Sequence, residues 1–260
     1  MPSAAEAHPS PLPRPTFDIL LDTPDLVAIQ KPSGLATIPG RGETTSALEE
    51  LAAQLNLPHT GQQDPRLRVV HRLDKDTSGV LLFAKNIAAQ RHMSHQFQNN
   101  TVEKEYLALI AGRPSSDEGE IDVNLAPHPG NPKLMATSKQ GRPARTLWQV
   151  AQRFRAYTLL RVFPKTGKTH QIRVHLRHAG MPLAIDPLYN PNAPPLMLSQ
   201  LKRDYRARQG VEERPLIARL TLHAEKLRFK DLAGTEVELT APLPKDFRAT
   251  VNQLSKLAGR

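Results

Sequence analysis

Short runs of strand-forming residues, each ended by glycine, proline or a charged turn, place the strongest limit on what this chain can fold into. LVAIQK, RLRVV, VLLFAK, EYLALIAG, TLWQVAQRF, YTLLRVF, LTLHAEKLRF and EVELT recur from residue 26 to residue 240. They are rich in β-branched, leucine and aromatic side chains and have the length of strands. Helical periodicity interrupts them irregularly, so the regular strand–helix alternation of a parallel sheet is missing. The pattern implies an α+β fold with a mainly antiparallel, mixed sheet flanked by helices and loops. One domain is expected over residues 16–250. The Pro-rich stretch 1–15 offers little apolar surface to bury and reads as a disordered tail.

FDILLDTPDLVAIQKP reads as strand, turn at Thr23-Pro24-Asp25, and strand. Ser46 with Glu49 forms a capping box, and Ala47, Leu48, Leu51 and Leu55 line one face of the helix it opens. Asn86 can cap a second helix running to about Phe97. In KEYLALIAG, Tyr106, Ala108 and Ile110 alternate toward one face of a strand. Residues 115–142 are rich in Pro and Gly and promise at most a short strand near Ile121. Two strands are expected at 144–154 and 157–163. THQIRVHLRHAG then reads as a helix closed by Gly180, with Ile172, His175 and Leu176 on one face and Arg173 and Arg177 stacked on another. Residues 182–195 read as loop, 196–210 as a short basic helix, and 219–229 and 235–244 as the last strands.

Composition narrows the function. Lys and Arg number 35 against 25 acidic residues, a formal charge of +10 with a pI near 10.0. Such a balance favours a polyanionic partner, nucleic acid above all, over the plainer alternative of a well-solvated basic surface. The longest apolar runs fall far short of the ~20 residues that span a bilayer, and the N-terminus is not a secretory signal. A soluble, cytoplasmic protein with no membrane partner is expected. The chain has no cysteine. That removes disulfides, thiolate zinc sites and thiol nucleophiles, including the thiolate chemistry by which uracil is usually methylated at carbon 5. His92 with His95 and His175 with His178 lie one helical turn apart but lack an evident third ligand, so no metal is expected.

His71-Arg72-Leu73-Asp74 resembles the catalytic loop of protein kinases, but no Gly-rich phosphate loop precedes it and no Asp-Phe-Gly follows. Gly167-Lys168-Thr169 copies the end of a P-loop, yet Val162 stands where that motif needs its first glycine. What remains is a loop carboxylate, Asp74, between two apolar strands, with Asp76 close behind. On local features alone it reads as a turn-capping side chain.

Taken whole, VVHRLDKDTSGVLLFAKN closely resembles the signature of the RluA-type RNA pseudouridine synthases. KPSGL with PGRG, KEYLALIAG, TGKTHQIRVHLRHAGMPLAIDPLY, RLTLHA and PLPKDF resemble further motifs of that family, in order, from Phe17 to Phe247. The resemblance implies an enzyme that isomerises uridine in structured RNA, ribosomal or transfer, without a cofactor or an obligate protein partner. It implies Asp74 as the nucleophile, attacking the uracil ring or the sugar carbon, with Arg173 as its ion-pair partner. Tyr106 would lie against the uracil, as a stacking surface or as the base for carbon 5. Leu222 would form the apolar side of the base pocket. Arg72, beside Asp74, would fill the space left by the flipped base or hold a phosphate. His71, Thr77, Lys168, Thr169 and His170, from the same motifs, would contact substrate, and the basic segment 202–214 would grip phosphates. Many relatives carry an accessory RNA-binding domain before the catalytic one; none is expected here. Ile185-Asp186 stands where the family more often has Gly-Asp, and Lys168 where it more often has Arg. The rival reading is a catalytically silent RNA-binding protein on the same fold.

Overall fold

The computed structural model describes residues 16–40, 44–202, 205, 206, 210 and 212–258. The expected tail at 1–15 lies outside them, as does much of the basic segment 202–214. Strands β1 (Ile19–Asp22) and β2 (Leu26–Lys31) form a hairpin, and β2 pairs antiparallel with β4 (Ser78–Ala84). β3 (Arg68–Val69) adds to the far end of β4. The second half of the sheet runs β11 (Leu222–Lys230), β5 (Glu103–Ala111), β10 (Tyr157–Pro164), β9 (Arg145–Arg153) and β6 (Glu118–Asp122), all antiparallel, with β12 (Glu236–Thr240) paired to β11. The two halves meet at β4 and β11, where only His223↔Ser78 and Ala224↔Gly79 pair, in parallel. The expected mainly antiparallel α+β architecture is therefore present, with this short parallel seam joining its two halves.

The strands at the centre read as unbroken apolar runs because both faces are covered. On one face, Val27, Ile29, Leu81 and Phe83 pack against α1 (Ala47–Leu55), while Ala108, Ile110, Leu160 and Val162 pack against α3 (Gln171–His178). On the other, Leu26, Ala28 and Leu82 meet Ala89 and Met93 of α2 (Ile87–Gln98), and Leu107, Leu109 and Leu159 meet Phe247 and Leu254 of α5 (Lys245–Ala258). Ser46 caps α1 by accepting from the Glu49 amide, and Asn86 caps α2 through the Ala89 amide, as their sequences require.

The structure departs from the sequence reading in several places. Residues 115–142 hold three strands, not one: β6, and a small hairpin of β7 (Leu125–Pro127) and β8 (Met135–Thr137). The hairpin strands are too short to show a period, and they are held by tertiary packing of Leu125 and Met135 on Val174 and Tyr189. Of the basic helix expected at 196–210, the described residues show only α4 (Leu198–Leu201). α5 went unanticipated, although Phe247, Val251 and Leu254 recur at helical spacing. Arg173 and Arg177 differ in burial along α3: Arg177 is exposed and Arg173 is buried.

Candidate active site

Asp74 sits in the loop between β3 and β4, and its carbonyl accepts from the Thr77 amide at 3.1 Å, which makes Asp74–Thr77 a tight turn. The segment after β2 holds this turn from beneath. Thr37 Oγ1 both donates to the Leu73 carbonyl and accepts from its amide, at 3.0 and 3.1 Å. Ser33 Oγ donates to the Asp76 carbonyl at 2.6 Å, and the Gly34 amide to the Lys75 carbonyl at 3.0 Å. Lys31, wholly buried, donates to the carbonyls of Pro32, Leu35 and Lys75 at 2.8, 2.8 and 2.9 Å. Burial lowers its pKa to about 7 against the opposing pull of Asp76 and Asp74. The KPSGLAT motif is thus the mould of the aspartate loop. Its exit is equally constrained: a Cβ on Gly79 (φ +125°) would lie 2.1 Å from the Ala224 carbonyl oxygen, so only glycine permits the parallel seam.

The carboxylate of Asp74 turns toward α3. Its Oδ2 accepts from Arg173 Nη1 at 3.2 Å and lies 3.8 Å from His170 Nε2. Arg173 reaches it because Asp186 holds the rest of the guanidinium, Nε to Oδ2 at 2.9 Å and Nη2 to Oδ1 at 2.7 Å. Asp186 is buried and also accepts from the Leu188 and Tyr189 amides, at 3.0 and 3.1 Å. Burial alone would lower the pKa of Arg173, but the two carboxylates outweigh it and raise the pKa, so the guanidinium stays charged. The Tyr189 ring lies beneath it, 5.0 Å from its carbon centre.

His170 adopts a left-handed backbone (φ +54°) at the start of α3. Its Nδ1 is 2.7 Å from Tyr189 Oη, which already accepts from the Met135 amide at 2.8 Å. With that acceptor in place, the phenol donates to Nδ1 and the ring proton sits on Nε2, toward Asp74. Burial lowers the pKa of His170, so the imidazole is neutral. Gln171 pins the preceding turn: its Oε1 accepts from Thr166 Oγ1 and the Lys168 amide at 2.7 and 3.0 Å, and its Nε2 donates to the Arg145 carbonyl at 2.9 Å.

Tyr106 and Leu222, on adjacent strands and the same sheet face, form the floor beside Asp74. Burial, and secondarily Asp74, push the Tyr106 phenol well above its usual pKa, which keeps it neutral. The resulting cavity measures about 250 Å³ and is lined by all ten expected residues: His71, Arg72, Asp74, Thr77, Tyr106, Lys168, Thr169, His170, Arg173 and Leu222. They differ in state. Arg72 and Thr169 are exposed at the rim and Thr77 is buried. His71 stacks on Phe97 at 4.6 Å and accepts the Leu82 amide on Nε2 at 3.0 Å. Burial drives its pKa down to about 3, so it is a neutral part of the wall.

Residue-by-residue reading of the sequence passed over Lys31, Lys104, Tyr189 and Asp186 as members of the site. Lys104 could have been found, since it lies two positions before Tyr106 and shares its face. Asp186 had no local signal beyond its place in PLAIDPLY.

The chain is similar to known proteins over most of its length. Residues 25–178 match the RNA pseudouridylate synthase family model. The chain is 39% identical to the ribosomal large subunit pseudouridine synthase D of Nitrosomonas europaea over 92% of its own length and 65% of that protein's. The corresponding Escherichia coli K12 protein is 33% identical over 88% of this chain and 68% of its own length. The solved structure of human RNA pseudouridylate synthase domain containing 4 superposes with a TM-score of 0.70 at 28% identity, covering 91% of this chain and 92% of that one. The chain belongs to the RNA pseudouridylate synthase family. It spans about two thirds of the length of the bacterial relatives it matches. No helix among the described residues is long and apolar enough to cross a membrane.

Proposed function

We propose that this protein converts uridine to pseudouridine in large-subunit ribosomal RNA, acting in the cytoplasm with Asp74 as the nucleophile. The observation that carries the reading is the placement of Asp74: an arginine-paired carboxylate in a narrow recess floored by Tyr106 and Leu222. Isomerisation breaks the bond from N1 to C1′, turns the uracil, joins C5 to C1′, moves a proton onto N1 and loses the proton from C5. A carboxylate that adds to substrate and leaves again is all the covalent chemistry this needs. Arg173 orients the Asp74 carboxylate by donating from Nη1 to its Oδ2.

A base inside a duplex cannot enter the recess, so the uridine must be flipped out, at a cost of a few kcal/mol. Tyr106 and Leu222 offset part of that cost by enclosing the base. The neutral Tyr106 phenol suits stacking better than proton removal. Arg72, exposed at the rim next to Asp74, is placed to enter the space the base leaves or to meet a phosphate. The relatives named for large-subunit ribosomal RNA support the choice of substrate.

The test is tritium release from ribosomal RNA labelled at carbon 5 of uridine, without added metal or cofactor. Release by the wild type and none by Asp74→Ala is the expected result. Tight RNA binding with no release from any RNA would make the protein a silent RNA binder.

A further inference from the structure

Lys104 is a half-buried cation with no carboxylate partner among the described residues. It is the second residue of β5 and, by strand alternation, lies on the same side as Tyr106, one strand repeat away, about 7 Å along the strand. It lines the cavity that holds Asp74. Its ammonium donates to the Thr166 carbonyl at 3.2 Å, and among the described residues no carboxylate is within ion-pairing distance. The one charge that bears on it is repulsive, from Lys165, and burial with that repulsion lowers its pKa to about 8. His71, its other titratable neighbour, is held neutral by its bond to the Leu82 amide. Asp74 and Asp186 are both committed to Arg173.

Burying an ammonium without an anion is costly, and folding gains little from it here. A neutral side chain of the same length would fill the space at lower cost. Lys104 and Tyr106 line the same cavity, so a base against Tyr106 leaves the ammonium on the side where its backbone must run. The turn at 166–168, which also lines the cavity, brings Lys168 to the same side.

We infer that Lys104 forms an anion subsite for the phosphodiester adjoining the flipped uridine, so that the enzyme holds the target nucleotide at both its base and its backbone. The inference rests on the uridine-isomerising reading of the cleft. The bound phosphate completes the ion pair that the empty fold lacks, and Lys165 and Lys168 reinforce its attraction.

Lys104→Met and Lys104→Arg, made in the full chain, test this. Lys104→Met should unfold at the same or a higher temperature than the wild type, because a desolvated charge has been removed. It should lose about 10- to 100-fold in kcat/KM for tritium release from ribosomal RNA, the range that a hydrogen bond between charged groups supports. Its dependence of log affinity on log salt should be shallower by about one phosphate contact. Lys104→Arg should recover most of the loss. A melting temperature that falls while the salt slope stays unchanged would reassign Lys104 as a structural pin for Thr166, and unchanged kcat/KM would also overturn the subsite.

A second measurement does not depend on turnover. After reductive ¹³C-methylation of the lysines, the Lys104 resonance, assigned by its loss in Lys104→Met, is titrated with ligand present. Uridine 5′- or 3′-monophosphate should raise its pKa, whereas uridine should not. An equal rise with inorganic phosphate, or no rise with either nucleotide, overturns the assignment. If wild type releases no tritium but the nucleotide still raises Lys104, the isomerase reading fails and the subsite stands. Tritium release with a fully active Lys104→Met leaves the isomerase reading and removes the subsite.

Discussion

Asp186 grips Arg173 through Nε and Nη2, at 2.9 and 2.7 Å, and so leaves Nη1 alone to meet Asp74. One guanidinium is thereby divided between a carboxylate that fixes it and a carboxylate that it serves. Arginine's planar fork makes the division possible; a lysine could satisfy only one partner with comparable geometry.

Asp186→Ala should therefore damage both fold and catalysis. It strips a buried cation of its bidentate partner, at a cost of about 3–5 kcal/mol. It also frees Arg173 to collapse onto Asp74. Urea unfolding should show the loss of stability, and tritium release should show turnover falling further than the unfolded fraction explains. Full activity at wild-type stability would show that Asp186 does not position Arg173.

Asp74→Asn should behave in the opposite way. Arg173 keeps its two bonds to Asp186, and Asp74 is partly open to solvent, so stability should stay within about 1 kcal/mol of wild type. RNA binding should persist while tritium release is abolished. Residual turnover near the wild-type rate would move the nucleophile elsewhere.

Gly79→Ala should be among the most damaging single-methyl additions in the chain. The added carbon meets the Ala224 backbone at a φ of +125°, and strain of both kinds together should cost more than about 3 kcal/mol. The seam between the sheet halves must open, so the denaturation midpoint should fall with the surrounding secondary structure retained. An unaltered midpoint would mean that the seam tolerates displacement.

Stability should fall as the pH drops below about 6.5. Burial lowers the pKa of His71 to about 3 and of His223 to about 4, and lowers His170 and His175 as well. His223 Nδ1 accepts from Ser78 and its Nε2 donates to the Ala241 carbonyl, so a second ring proton has no place in the fold. Between about pH 6.5 and 4 the unfolded chain binds protons that the folded chain refuses, and stability is lost with acid. His71 and His223 alone should give a slope approaching about 2.7 kcal/mol per pH unit near pH 5. Denaturant midpoints from pH 7 to 4.5 check this; a flat profile would show the rings protonated in the fold.

Much of this molecule is legible in its sequence, because most of its determinants are local. The strand at Ser78–Ala84 follows from an unbroken apolar run, and the first two helices follow from Ser46 and Asn86 at their caps. The motifs around Asp74, Tyr106 and Arg173 could be recognised as a set, and all three residues line one cavity. The β7–β8 hairpin could not be read, since three-residue strands have no period and depend on Val174 and Tyr189.

The sequence by itself determined most of the strand segments, the side chains that can do chemistry, and a basic charge balance that favours a polyanionic partner. Tertiary structure alone decided how those side chains stand toward one another. The division of Arg173 between Asp186 and Asp74 joins residues 13 and 99 positions from Arg173. The tautomer of His170 depends on Tyr189 and on the Met135 amide, and Lys104 is left to the Thr166 carbonyl while Asp74 and Asp186 are engaged by Arg173. Local sequence sets backbone preference and amphipathic faces. Burial, ion pairing and protonation state are sums over neighbours that only the folded chain brings together.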